Sequence, residues 1–127
     1  MSEHAALLSA QGVGKHFGGL VALSEVTLHV SSGQIFGLIG PNGAGKTTLF
    51  NVITGLYGAT TGEIRFDGTS LKGYGPHAIA SRGLARTFQN IRLFANMTAH
   101  ENIMVGRHCR TRTGVVGSIL RTRFARR

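Results

Sequence analysis

One stretch constrains this chain more than any other: Gly40-Pro41-Asn42-Gly43-Ala44-Gly45-Lys46-Thr47, which fills every fixed position of the pattern G-x-x-x-x-G-K-[ST]. Before it lies a short apolar run, Ile35 to Ile39, and after it Lys46 to Thr54 carries Leu49, Phe50, Val52 and Ile53 and stops at Gly55. That flanking predicts a buried central strand, a tight loop and a helix closed by a glycine C-cap. A loop of this kind suits a phosphate chain. Gly40, Gly43 and Gly45 let the backbone curl until successive N–H groups point inward, and they leave no side chain in the way. The helix N-terminus adds unsatisfied donors and the positive end of its dipole. Lys46 would reach the β- and γ-phosphates, the Thr47 hydroxyl would sit on Mg²⁺, and Thr48 can add a further phosphate contact. Eight residues in the right places are hard to explain as a chance glycine turn.

The rest of the chain reads as a globular α/β sequence. With 127 residues and 42% hydrophobic composition it can bury a core of its own, roughly two-thirds of its unfolded surface. The alternation of Val26, Leu28 and Val30 predicts a half-buried strand over 24–30, and Glu63 to Leu71 a β segment turning at Asp67-Gly68. Pro76 to Ser81 should form a short helix and Leu84 to Phe88 another strand. Thr98 with Glu101 makes a capping box, so Ala99 to about His108 should be helical. Against 14 Lys and Arg stand five acids, giving a formal charge of +9. Seven of those basic residues, and no acid, fall in 107–127. The lone Cys109 excludes an internal disulfide, the residues Met1-Ser2-Glu3-His4 lack the basic and apolar regions of a secretory signal, and no apolar run approaches the ~20 residues a membrane-spanning helix requires. A cytoplasmic protein, peripheral to any membrane, is expected.

The phosphate loop is shared by many families, and the flanks distinguish them. Lys15-His16-Phe17-Gly18-Gly19-Leu20-Val21-Ala22-Leu23, the loop Gly40 to Leu49, and Leu56-Tyr57-Gly58-Ala59-Thr60-Thr61-Gly62-Glu63-Ile64 closely resemble the ATPase cassettes of ABC transporters. Leu84 to Phe94 and Met97 to His108 look like the Q-loop region of that family, and more narrowly like the ATP-binding subunit of branched-chain amino acid importers. Ala99-His100 departs from relatives, which generally carry two apolar residues there. The resemblance implies an α/β P-loop NTPase fold of the ABC type, with ATP and Mg²⁺ as cofactors. It makes Phe17 the adenine platform and Gln89 the Q-loop glutamine that approaches Mg²⁺ and senses the membrane partner. From the residues alone Phe17 could instead be a core aromatic between two strands, though Gly18 and Gly19 favour an exposed loop, and the spacing of Gln89 by itself favours a solvated loop residue. Residues 1–106 correspond to the N-terminal part of the ATPase domain (A-loop, Walker A, Q-loop). Residues 107–127 form a basic segment leading toward the helical subdomain.

The family's remaining machinery has no counterpart in these residues. Asp67 is the sole aspartate and lies in a turn, so there is no Walker B strand, and no catalytic glutamate, signature motif or switch histidine follows. The sequence therefore reads as truncated before Walker B and offers no catalytic residue of its own. Weak ATP binding without turnover is the expectation, in a subunit that pairs with a second ATPase subunit and drives an integral permease at the inner face of the membrane, a solute-binding protein taking part indirectly. Two other readings remain: a non-functional fragment, and a basic module for nucleic acid or anionic lipid. The second lacks support, since Phe124 is the tail's only aromatic, and no nucleic-acid partner is expected.

Overall fold

The computed structural model describes residues 6–88 and 93–107. It divides into two units, Met1–Arg86 and Thr87–Arg127. In the first unit, strands β1 (Leu8–Phe17), β2 (Leu20–Val30), β3 (Thr61–Phe66) and β4 (Thr69–Ser70) form one antiparallel sheet in the order β2-β1-β3-β4. Helix α1 (Lys46–Ile53) joins β2 to β3 through the glycine-rich loop, and α2 (Pro76–Ser81) follows β4.

The core is small and mixed. Ala10 and Val13 of β1, Leu23 of β2 and Ile64 of β3 cluster with Leu49, Val52 and Ile53 of α1, Leu71, and Ile79 of α2. Leu49, Val52 and Ile53 recur at helical spacing, so one stripe of α1 faces inward while Phe50 stays 45% exposed. Burying a side chain such as Val13 in full contributes about 1.5–3 kcal/mol. Arg86 adds a polar tie to α1 by donating to Asn51 Oδ1 at 2.6 Å.

Several expected elements are present. α1 runs from Lys46 to Ile53, with Thr54 at the C-cap and Gly55 beyond it at φ 75°. β2 starts earlier than the expected strand because Leu20 pairs with Phe17 across a short turn. Asp67 and Gly68 both take positive φ, 47° and 71°, as the two central residues of a primed hairpin turn must. α2 occupies the expected residues. β1 is a strand that the sequence pattern did not announce. Its register shifts between Ala10 and Val13, and again up to His16, break the alternation that would reveal it.

Two expected strands are corrected. Ile35 to Ile39 forms no strand and is not buried: Ile35 and Ile39 are 99% and 97% exposed. Leu84 to Phe88 also lacks strand structure. A buried parallel strand is held by hydrogen bonds from neighbours on both edges, and the four paired strands among the described residues are all antiparallel and lie elsewhere. An apolar run fixes a preference for burial without supplying the partner that makes it a strand.

In the second unit, α3 (Ala99–Gly106) ends two residues before the expected His108, which lies outside the described residues. Its capping box is complete. Thr98 Oγ1 accepts from the Glu101 N–H at 3.3 Å, and the Glu101 carboxylate accepts from the Thr98 N–H at 2.7 Å. Asn102 braces the preceding loop, accepting from the Phe94 N–H and donating to the carbonyls of Phe94, Met97 and Thr98. No residue of α3 is buried.

Candidate functional site

The loop from Gly40 to Gly45 reaches α1 through two left-handed glycines, Gly43 at φ 82° and Gly45 at φ 87°. Gly45 is the helix N-cap, and no side chain caps the first turn. No acid lies in that turn, so the exposed N–H groups and the positive helix end keep their capacity for an anion. Gly45 is also a point of close approach: a Cβ there would lie 2.7 Å from the Ala22 carbonyl oxygen and 2.9 Å from Leu23 Cδ2. The loop is thus seated against β2, and glycine is required for its path and for its packing alike.

Lys46, the first residue of α1, folds its side chain back along the loop. Its ammonium donates to the carbonyl oxygens of Gly40 and Pro41, both at 2.5 Å. An ammonium has three hydrogens, so a further acceptor can be added, and phosphate oxygens could replace the carbonyls at modest cost. Pro41, Asn42, Gly43 and Ala44 are exposed, as is Thr47, while Thr48 is half-buried. The loop closes on itself through the Ala44 N–H, which donates to the Pro41 carbonyl at 3.3 Å, and Gly45 O receives the first helical bond from Leu49 at 2.8 Å. This donor set fits a polyphosphate. The Thr47 hydroxyl, beside Lys46, could take the magnesium ion that accompanies one, which normally keeps several waters and few protein ligands.

Phe17 ends β1 and is 41% exposed, which removes the core-aromatic alternative. Its ring meets Tyr57 edge to face, with centroids 5.2 Å apart and planes at 82°. The Lys15 ammonium lies 5.0 Å from the Phe17 centroid and 5.8 Å from that of Tyr57, and it donates to the Gly58 carbonyl at 2.9 Å. Nothing local in the sequence brings Tyr57 to Phe17, since forty positions separate them. Gln89 lies outside the described residues.

A glycine-rich loop of the pattern G-x-x-x-x-G-K-[ST], seated against β2 and opening into a helix N-terminus, is the mark of a P-loop nucleotide-binding protein. The comparisons narrow that class. The ABC transporter family model matches residues 23–125, and the chain belongs to that family. It is 46% identical over 121 residues to the high-affinity branched-chain amino acid transport ATP-binding protein BraF of Pseudomonas aeruginosa, covering 95% of this chain and 48% of that protein. Its identity to LivG of Escherichia coli, a protein of the same description, is also 46% with the same coverage. Among solved structures, the ADP conformation of MJ1267, an ATP-binding cassette of an ABC transporter, superposes with a TM-score of 0.74 at 32% identity, over 96% of this chain and 48% of that one. A nucleotide-free ATP-binding cassette gives the same TM-score at 30% identity. These neighbours place the chain in the α/β P-loop NTPase fold of ABC cassettes. The chain spans about half the length of the curated relatives it matches.

Proposed function

We propose that this chain is the nucleotide-gripping part of the ATP-binding subunit of an ABC importer, in which ATP hydrolysis is coupled to uptake of branched-chain amino acids. The observation that carries the reading is the seating of the loop. Gly43 and Gly45 take left-handed angles, the uncapped helix end follows, and the Lys46 ammonium lies along the loop beside it. Gly40 to Thr48 would hold the phosphates of ATP, Thr47 together with Gln89 would attend the Mg²⁺, and Phe17 would stack on the base. The transported solute is suggested by BraF and LivG and would be recognised by a solute-binding protein and permease, not by this chain.

Within the assembly the chain would pair with a second ATPase subunit and dock on permease subunits at the inner face of the membrane. No helix among the described residues is long and apolar enough to cross a membrane, consistent with a peripheral place. Hydrolysis needs a carboxylate to position the metal, and the sole aspartate, Asp67, sits in the β3–β4 turn. These residues by themselves should therefore bind ATP without measurable turnover.

The test is an equilibrium titration of the purified chain with Mg-ATP beside Lys46→Ala. Loss of the charge on the phosphates should weaken binding by about ten- to hundredfold, the effect of removing a charge-assisted hydrogen bond. Equal affinity in the two proteins would refute the site.

A further inference from the structure

We propose that Lys15 and Tyr57 are positioning residues for the Phe17 ring, so that a purine base is received by a three-membered corner and not by Phe17 alone. The inference rests on the nucleotide reading above and deepens it.

The two ring centroids and the Lys15 nitrogen form a nearly equilateral triangle with sides of 5.2, 5.0 and 5.8 Å. Each member restrains the others. Tyr57 meets Phe17 at 82°, an arrangement favoured because the positive edge of one ring faces the negative face of the other. The ammonium is attracted to both rings and is anchored by its hydrogen bond to Gly58 O, in the loop that carries Tyr57. Phe17 would otherwise be a half-exposed aromatic at the end of a hairpin, next to Gly18 and Gly19, with little to hold its ring. Held in this corner, it is pre-organised for a planar partner and loses less freedom when one binds. A cation over the ring also draws electron density from it, which favours stacking on an electron-rich purine.

One ligand could span the corner and the phosphate loop if the two lie a ribose and a phosphate apart, and the path of the backbone is compatible with that spacing. Phe17 pairs with Leu20 across the hairpin, and Ala22, two residues on, is the residue against which Gly45 is seated. Two residues of strand advance about 7 Å. A ribose and its first phosphate occupy a gap of that order.

The test compares Mg-ATP with Mg-tripolyphosphate, which has the phosphates and no base, on the wild-type chain and on Tyr57→Leu, Tyr57→Phe, Lys15→Met and Phe17→Leu. Tyr57→Leu should weaken Mg-ATP about three- to tenfold and leave tripolyphosphate within about twofold, the scale of one aromatic pair. Tyr57→Phe should restore wild-type affinity, and Lys15→Met should give a smaller, equally base-selective loss. In the Phe17→Leu background, adding Tyr57→Leu should cost nothing further. The proposal is overturned if Tyr57→Leu lowers both ligands together, which marks a merely structural role, or if it changes neither. A loss that persists without the Phe17 ring would also overturn it. Should Tyr57→Leu fail to fold, the selectivity of Lys15→Met decides by the same criteria. If wild type binds neither ligand, the nucleotide reading fails and this inference with it. Binding of both ligands with no selectivity in any variant removes the inference alone.

Discussion

Gly45 answers to two demands at once, a backbone angle of 87° and a packing distance that leaves no room for a methyl group beside Ala22 O and Leu23. Gly45→Ala should therefore destabilise the chain by about 1–3 kcal/mol, the usual cost of a left-handed strain with a close contact added. Lys46→Ala, which releases the half-buried Gly40 carbonyl and the exposed Pro41 carbonyl of the loop, should shift stability by about 1 kcal/mol or less. Denaturant midpoints of the two variants separate these effects, and equal midpoints would contradict the seating of the loop on β2. At this scale the phosphate loop was legible because its constraint is local: consecutive residues must satisfy the angle and the chemistry together. The corner at Phe17 was legible only in part. Exposure of the ring could be anticipated from Gly18 and Gly19, and Lys15 stands two positions from Phe17 on the same strand, whereas Tyr57 reaches the ring through pairing that no short window of sequence contains.

Among the elements, α3 shows a boundary written in the sequence and a face that is not. Its capping box was readable from Thr98 and Glu101, and the structure forms both halves. The Glu101 carboxyl is held below its ordinary value of 4.5, first by the Thr98 backbone N–H and then by the Thr98 hydroxyl, both of which prefer the charged form. A lowered carboxyl contributes its stabilisation above the ordinary value and loses it as the pH falls through the shifted one. Acidification below 4.5 should therefore loosen the first turn of α3. Amide exchange at Thr98 and Glu101, taken relative to the intrinsic rate at each pH, should rise over that range in wild type and stay flat in Glu101→Gln. The same exchange in both proteins would show that the charge plays no part. β1 and the 35–39 run teach the complementary lesson. A bulged strand hides its alternation, and an apolar run advertises burial that only a neighbouring strand can complete.

At the scale of the molecule, the exposed run is one feature among the described residues that bears on behaviour in solution. Ile35, Phe36, Leu38 and Ile39 are 99%, 46%, 36% and 97% exposed, a contiguous apolar stretch of the kind that drives association. Replacing the two extremes, in Ile35→Lys with Ile39→Lys, should reduce self-association in sedimentation experiments and leave the melting temperature almost unchanged, because neither side chain contributes to the core. A large fall in melting temperature would mean that the run is covered after all. The seating of Gly45 on Ala22 carries a different consequence, one of length. The stretch from the hairpin at Phe17 to Ala22 acts as a ruler between the ring that would receive a base and the loop that would receive its phosphates. Substitutions along it change how well each end grips. Adding or deleting one residue should move the mark by about 3.4 Å and turn every later side chain to the opposite face of the strand, a larger change than a substitution along the same stretch makes.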